Sequence, residues 1–168
     1  MASDVYRKIV KLMLKASELA KSIGITNLLQ PGLVKEMIIA DILGHELIHS
    51  KRDADAHAPG VPAEKYEYLS CKEGRTGQLD RMFKSPPAKR AESLRRITRN
   101  RKVFLAIFHA ANQTRCKTIY ELDPNVVLRE AERQLDRSRN EISHVGFSEV
   151  WARENGGVVY QDTGEGAS

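Results

Sequence analysis

Residues 103–108 read Val103-Phe104-Leu105-Ala106-Ile107-Phe108, six apolar side chains in succession. A short apolar run with aromatic and β-branched side chains predicts a strand that is buried on both faces of a sheet. Residues 117–122 alternate as a neighbouring strand would, and Asp123-Pro124 then begins a helix that we expect to reach about Arg137. This alternation of strands and helices predicts an α/β fold with a mixed β-sheet flanked by helices.

The part of the chain before this strand predicts two helices and a hairpin. Apolar residues at helical spacing indicate an amphipathic helix over 4–23 and a second, more buried helix over 33–43. A turn-forming segment at 51–64 precedes the aromatic run at 66–72, which predicts a strand that forms a hairpin with the segment before it.

Three further features complete the expected organisation. Pro86-Pro87 begins a third helix that extends to about Arg99, and we expect residues 157–168 to form a loose tail. No repeat or linker divides the chain, so we expect residues 1–168 to form one domain.

Length and composition exclude several classes of protein. A chain of 168 residues with 41% apolar residues can close a single core, and no apolar run is long enough to span a bilayer. Two cysteines, Cys71 and Cys116, without a signal-type N-terminus favour a reducing compartment, so we expect a cytoplasmic protein with no membrane partner.

Positive charge is concentrated in one segment. The chain has a net charge of +5, yet residues 84–102 alone contain eight basic residues and one acid, Glu92. Such a segment is either a solvated helix face or a surface that contacts phosphates. We favour the second interpretation, with nucleic acid as the partner.

The segment His45-Glu46-Leu47-Ile48-His49 matches the HExxH pattern of zinc metallopeptidases. That chemistry requires both histidines on one face of a helix, where they bind zinc while the glutamate activates a water. Gly44 is predicted to end the preceding helix, so ordinary polar histidines at a helix end or on a strand are the simpler interpretation. A zinc metallopeptidase therefore remains an alternative function.

A second pattern combines acids with a lysine. Asp53-Ala54-Asp55-Ala56 is followed after a turn by Leu69-Ser70-Cys71-Lys72. Alternate strand residues share a face, so Ser70 and Lys72 point the same way, and a hairpin can bring Asp55 beside them. A carboxylate, a backbone carbonyl and water would suit Mg²⁺, and the lysine would orient or activate the attacking water.

The order of these motifs along the chain resembles the type II restriction endonucleases of the PvuII type. The matching segments are 22–27, 30–32, 35–36, 51–56, 66–68, 103–108, 119–124 and 150–156. The resemblance implies a PD-(D/E)xK restriction-endonuclease-like core, magnesium-dependent cleavage of double-stranded DNA and a homodimer.

The resemblance also implies roles for individual residues. Asp55 is similar to the family's first metal-binding acid, with Asp53 as the alternative, and Lys72 is similar to the motif lysine. Ser70 stands where the family has Glu or Asp, so Glu36 is the candidate for the second carboxylate. The backbone carbonyl of Cys71 is a further candidate ligand for Mg²⁺.

Two other acids near the lysine strand, Glu67 and Glu73, are predicted to fall on its opposite face unless a bulge realigns them. An exposed helix acid with no role in catalysis is the alternative interpretation of Glu36. The sequence therefore leaves the second carboxylate open.

Base recognition in this family comes from the segment after the lysine strand and from a late loop. Gln and Arg can pair with adenine and guanine edges, and Asp can accept from cytosine. The candidate DNA-binding residues are Gln78, Asp80, Arg81, Lys84, Asn140 and His144. The sequence thus predicts a homodimeric type II endonuclease that cuts a short palindromic site, with helix 4–23 as a candidate dimerisation element. A non-catalytic DNA-binding module is the third candidate function.

Overall fold

The computed structural model describes residues 4–50 and 53–164, which contain five helices and eight strands. The helices are α1 (Asp4–Ser22), α2 (Leu33–Leu43), α3 (Pro87–Thr98), α4 (Pro124–Arg137) and α5 (Glu149–Asn155). The strands are β1 (Glu46–Leu47), β2 (Ala56–Ala58), β3 (Val61–Lys72), β4 (Thr76–Phe83), β5 (Lys102–Phe108), β6 (Cys116–Leu122), β7 (Ile142–Ser148) and β8 (Gly157–Gln161).

A mixed sheet of six strands forms the centre of the fold, in the order β1-β2-β3-β5-β6-β8. Strands β3 and β5 are parallel, with Tyr66 opposite Lys102 and Lys72 opposite Phe108, whereas the other neighbouring pairs are antiparallel. A parallel pair needs a long crossover, which β4 and α3 provide here. The prediction of an α/β fold with a mixed sheet flanked by helices is confirmed.

Both faces of β5 are buried, as its apolar run predicts. Leu105 and Ile107 pack in a core with residues of α3, α4, β4 and β7, whereas Phe104 and Phe108 pack in a second core with residues of α2. Each core is continued by β3, since Leu69 belongs to the first and Tyr68 to the second. Successive residues of β3 therefore face different helices.

The four longer helices agree with their sequence signals. Helix α2 ends at Gly44, whose φ of 67° closes the helix in the left-handed conformation. Helix α4 begins after Asp123, whose side chain accepts a hydrogen bond from the amide of Asn125 at 2.7 Å. The hairpin between β2 and β3 is also confirmed.

Three strands differ from the expectations. Residues 157–161 of the expected loose tail form β8, which pairs with the edge of β6. The side chains of β8 are nevertheless largely exposed. Residues 165–168 lie outside the described residues. Strands β4 and β7 form a separate antiparallel pair where we expected polar loops.

Among the described residues, no helix has the length and apolar character needed to cross a membrane.

Candidate active site

Hydrogen bonds to its backbone and to its side chain hold Asp55 against the middle of β3. Its amide donates to the carbonyl of Tyr66 at 3.0 Å, and its carbonyl accepts from the amide of Ile48 at 2.8 Å. Its carboxylate oxygen Oδ2 accepts from the amide of Tyr68 at 2.7 Å. Burial nevertheless raises the pKa of Asp55, because these contacts compensate only part of the lost hydration.

Glu67 lies beside Asp55 and is buried, with 9% of its surface exposed. Its oxygen Oε2 has no hydrogen-bond partner within the described part of the chain, and the guanidinium of Arg99 is 3.7 Å away. Burial and the negative charge of Asp55 both raise the pKa of Glu67. A buried carboxylate oxygen without a hydrogen bond is costly, and Arg99 compensates this cost only in part, so the site is suited to a further cation.

Glu36 approaches the same place from α2. Its pKa rises to about 7 because the side chain is partly buried and because Asp55 is negatively charged. Glu36 and Asp55 line one cleft of about 370 Å³, together with polar residues that include Asn27 and His49. The structure therefore brings together Asp55 and Glu36, as predicted, and adds Glu67.

Three arginines face the carboxylates across a second cleft. This cleft has a volume of about 680 Å³ and is lined by Asp53, Asp55, Glu67, Glu92, Arg95, Arg96 and Arg99. The charges of Arg96 and Arg99 lower the pKa values of both Asp55 and Glu67, but less than burial raises them. Carboxylates and guanidinium groups in one cleft can hold a phosphate and a cation side by side.

Asp53, the alternative metal-binding acid, is already paired within the protein. The Nζ atom of Lys65 donates to both of its carboxylate oxygens, at 2.6 and 2.7 Å. The hydrogen bond from Lys65 lowers the pKa of Asp53, and a second one from the amide of Ala54 adds to this effect. Asp55 therefore has the greater need for a cation.

Lys72 and Ser70 are not brought to Asp55. Lys72 is the last residue of β3 and lies opposite Phe108. With about 3.3 Å per strand residue, Lys72 is about 13 Å and Ser70 about 7 Å beyond Tyr68, the residue that contacts Asp55. Cys71 is buried between them and pairs with Ile107. We expected Ser70 and Lys72 to lie beside Asp55. Glu67 lies there instead, although the sequence places it on the opposite face of the strand.

The carboxylates suit a metal ion with few protein ligands. Across residues 4–50 and 53–164, no three His, Cys, Asp or Glu side chains form a ready-made metal cage. Mg²⁺ is commonly held by one or two carboxylates, with water and substrate phosphate completing its shell. The oxygen donors of Asp55 and Glu67, with Glu36 nearby, fit that requirement.

The HExxH segment lacks the helix that zinc chemistry needs. Helix α2 ends before it, and Glu46 and Leu47 form the short strand β1. The Nδ1 atom of His45 is hydrogen-bonded to the hydroxyl of Tyr68 at 2.7 Å, and its ring stacks on Tyr66 with centroids 4.3 Å apart. The helical basis of the zinc metallopeptidase alternative is therefore wrong for this fold, and His45 is a packed polar residue.

Four of the six predicted DNA-binding residues lie on one antiparallel ribbon, formed by β4 and β7, while Lys84 and Asn140 lie just beyond the ends of these strands. Between Leu79 and Met82 the pairing contains a bulge, so that Asp80 and Arg81 stand opposite His144. Arg81 has a φ of 52°, unusual for a residue other than glycine, and His144 Nδ1 is 2.7 Å from Asp80 Oδ1. All three are exposed, and so are Gln78 and Asn140.

Lys84 differs from the other predicted DNA-binding residues. Its Nζ atom donates to the carbonyl of Ser138 at 2.7 Å and to that of Asp136 at 3.3 Å. These bonds join the end of β4 to the last turn of α4 and to Ser138, which follows the helix. Lys84 therefore stabilises the end of the ribbon through these hydrogen bonds.

No protein-family model matches the chain, and a comparison with curated proteins gives no similar sequence. The resemblance to the PvuII type therefore stays a prediction, and the two clefts and the ribbon are the features that bear on function. The sequence interpretation did not assign a role to Glu67. The sequence feature that could have identified Glu67 is its position between Tyr66 and Tyr68, which places a charged residue inside a buried strand.

Proposed function

We propose that this chain is a sequence-specific endonuclease of the PD-(D/E)xK type that hydrolyses phosphodiester bonds in double-stranded DNA with Mg²⁺. The observation that carries the proposal is the second cleft, where the Asp55 and Glu67 carboxylates face Arg95, Arg96 and Arg99. Phosphodiester hydrolysis needs a cation site and a phosphate site next to each other. A cleft that offers both sites therefore suits chemistry on phosphate esters.

Asp55 and Glu67 would hold the metal, with Glu36 at the edge of the site. When bound, Mg²⁺ would stabilise negative charge that develops on the phosphate and lower the pKa of an attacking water. The proposal is supported by the Glu67 oxygen that accepts no hydrogen bond from the described residues and by the raised pKa values of these carboxyl groups. Both features reflect buried negative charge that a divalent cation would neutralise.

The arginines supply the second half of the site. Arg95 and Arg96 lie in the last turn of α3, and Arg99 caps the helix. Their guanidinium groups can donate paired hydrogen bonds to phosphate oxygens and so position the scissile phosphate against the carboxylates. They belong to the basic segment 84–102, whose remaining charges would contact neighbouring phosphates.

Lys65 is the lysine of β3 nearest to the carboxylates. It precedes Glu67 by two residues and shares its strand face, whereas the position two residues after Glu67 is Leu69. In the acid-x-lysine motif the lysine follows the acid, so Leu69 stands where that lysine would be. We assign the lysine role to Lys65, which would exchange its contact with Asp53 for the attacking water.

Base reading is assigned to the ribbon. A two-stranded ribbon fits the major groove, and the bulge directs Asp80 and Arg81 outward together with His144. Arg81 can pair with a guanine edge, while the hydrogen bond from His144 holds the Asp80 carboxylate in place. Because a palindromic site has two-fold symmetry, its recognition would favour a homodimer with the same symmetry.

Digestion of plasmid and phage lambda DNA by the purified chain tests the proposal. With Mg²⁺ or Mn²⁺ we expect discrete fragments, and sequencing their ends would report the site and the stagger. Asp55→Asn should abolish cleavage, whereas Glu154→Gln, which alters an exposed acid of α5, should cut as the unmodified protein does. Salt-dependent DNA binding with no nicking in either metal would instead identify a non-catalytic DNA-binding module.

A further inference from the structure

Helix α3 contacts both the ribbon and the second cleft. Ser93 and Arg96, one turn apart, bond to β4, and the Oγ atom of the buried Ser93 accepts from the amide of Phe83 at 3.0 Å. Arg95 and Arg99 lie one turn apart on an adjacent face of the helix and line the second cleft. The helix therefore connects the strands that would read bases to the site that would cut the backbone.

Arg96 belongs to both of these parts. Its Nη1 atom donates to the carbonyl of Asp80 at 2.8 Å and lies 3.8 Å from the Sδ atom of Met82, the residues on either side of Arg81 in the bulge. Its side chain also lines the second cleft. A guanidinium carries several N–H donors, and both contacts with the bulge use the same nitrogen atom. Arg96 can therefore bond to the bulge and to a phosphate in the cleft at the same time.

The charge of Arg96 acts on the candidate metal ligands. Burial raises the pKa values of Asp55 and Glu67, and the charges of Arg99 and Arg96 lower them in part. Because the interaction between two charges weakens with distance, this effect depends on where the guanidinium lies. A movement of Arg96 would change the electrostatic field at the carboxylates as well as the contact with phosphate.

The carbonyl that Arg96 contacts belongs to a strained part of the backbone. Arg81, the residue after Asp80, has a φ of 52°, a conformation that is unfavourable for a residue with a Cβ atom. The side chains of Asp80 and Arg81 are exposed, and His144 Nδ1 is 2.7 Å from Asp80 Oδ1. A base pair that bonds to these side chains would hold the bulge in this conformation. A base pair that does not would let the bulge relax, and the carbonyl of Asp80 would move with it.

We propose that Arg96 is a specificity-determining residue, which makes cleavage depend on the base pair that the bulge reads. With the matching base pair, the bulge holds the guanidinium where it can donate to the scissile phosphate. With another base pair, the carbonyl of Asp80 shifts and Arg96 leaves that position, so the chemical step slows although the DNA stays bound. This inference rests on the proposed nuclease function and adds to it the residue that couples recognition to cleavage.

Single-turnover cleavage of short duplexes tests this proposal. One duplex carries the site defined by the fragment ends, and the others have one base pair of that site changed. The unmodified protein should cut the matching duplex at least about 100-fold faster than the others. Arg96→Ala should slow cleavage of the matching duplex at least about 100-fold but slow the others less than about tenfold. Affinity for the matching duplex, measured in Ca²⁺, should fall less than about tenfold.

Arg95→Ala is the matched control. Arg95 lines the same cleft but, in the described part of the chain, makes no hydrogen bond or ion pair with the ribbon. This variant should slow the cleavage of all duplexes by a similar factor. A double-mutant cycle with Arg81→Ala gives a second readout. Arg81→Ala should change the matching rate less than about threefold once Arg96 is replaced, but should keep its full effect in Arg95→Ala.

The outcomes separate this inference from the nuclease proposal. If Arg96→Ala slows all duplexes equally, or if its effect and that of Arg81→Ala are additive, the coupling is wrong while the nuclease function stands. If the unmodified protein cuts no DNA with Mg²⁺ or Mn²⁺, the nuclease proposal fails and this inference fails with it. Arg96→Lys replaces Arg96→Ala if thermal unfolding shows that the latter does not fold. It should lose preference for the matching duplex too, because a single ammonium group cannot span the bulge and the phosphate.

Discussion

Replacing Glu67 by Gln should make the protein more stable and less active at the same time. The substitution keeps the shape of the side chain and removes its charge. In the fold this charge is buried, its oxygen Oε2 lacks a hydrogen bond, and Arg99 is 3.7 Å away. If the ion pair with Arg99 outweighed the cost of burying the Glu67 charge, removal of that charge would instead weaken the protein.

The magnitude follows from the opposing charges around Glu67. At an effective dielectric constant of about 20, the attraction to Arg99 is about 4 kcal/mol. Desolvation of a buried carboxylate costs several kcal/mol, and the repulsion from Asp55 adds to that cost. Because the pKa of Glu67 is raised, the unfavourable contributions outweigh the attraction. We expect Glu67→Gln to increase the free energy of unfolding by about 1–3 kcal/mol at pH 8 without metal.

The effect should depend on pH in a defined direction. A group whose pKa is raised by folding contributes stability that is fully present below its unfolded pKa, here 4.5, and is lost as the pH rises through the folded value. Below the unfolded pKa the protonated Glu67 resembles Gln, so the variant and the unmodified protein should be equally stable. Their stabilities should diverge as the pH rises from there to 8.

Urea unfolding at pH 4 and pH 8, combined with a cleavage assay, measures both consequences. Cleavage with Mg²⁺ should fall at least about 100-fold, since a ligand oxygen is lost. Mg²⁺ should stabilise the unmodified protein at pH 8 more than the variant. Undiminished cleavage by Glu67→Gln would refute the assigned site, and lower stability at both pH values would show that Glu67 is an ordinary structural ion-pair partner.

Three further substitutions test other parts of the structure. Lys65→Ala should lower cleavage at least about tenfold, whereas Lys72→Ala should not, because Lys72 lies far along β3 from Asp55. Single-turnover cleavage rates of the two variants measure the difference. Arg81→Gly should stabilise the fold by about 1 kcal/mol, since it relieves a φ of 52°, and should relax site preference, as urea unfolding and digestion patterns would report. Gly156→Ala should cost about 1–3 kcal/mol in thermal unfolding, because its Cβ would lie 2.5 Å from the carbonyl of Glu121, whereas Gly157→Ala, with open space around it, should be neutral.

Periodicity was enough to predict the elements that bury a continuous face. The apolar run of β5, the helical spacing of α1 and α2, and the Asp123-Pro124 start of α4 each matched the structure. These signals are local, since a buried strand or an amphipathic helix must present apolar residues at its own repeat. The mixed sheet followed from their order along the chain.

The ribbon could not be predicted in the same way, because its pattern is irregular. Buried residues of β4 alternate with polar ones only until Leu79, and the bulge at Asp80 and Arg81 then breaks the period before Met82. Strand β7 contains Ser143, His144 and Gly146, residues that are common in loops. The features that hide the strands from sequence reasoning are the same ones that direct polar side chains outward.

The sequence predicted part of the candidate site, and the misplacement of Ser70 and Lys72 has a single physical cause. Side chains of a strand alternate between faces, so a motif placed one residue out of phase moves to the other side of the sheet. Ser70 and Lys72 share one face of β3, whereas Glu67 shares the other with Lys65 and Leu69. The backbone of Asp55 bonds to Tyr66 and its carboxylate to Tyr68, and these contacts bring the carboxylate beside Glu67.

Under the proposed nuclease function, this placement changes which residues would supply positive charge. Leu69 occupies the position of the motif lysine, so the cations nearest the carboxylates come from Lys65 and from the arginines of the second cleft. Arg96 also donates to the carbonyl of Asp80 at 2.8 Å, which joins the cleft to the bulge of the ribbon. A base contact that shifts the bulge would therefore act directly on a side chain whose charge lowers the pKa values of Asp55 and Glu67. Recognition and cleavage would then share one residue, Arg96.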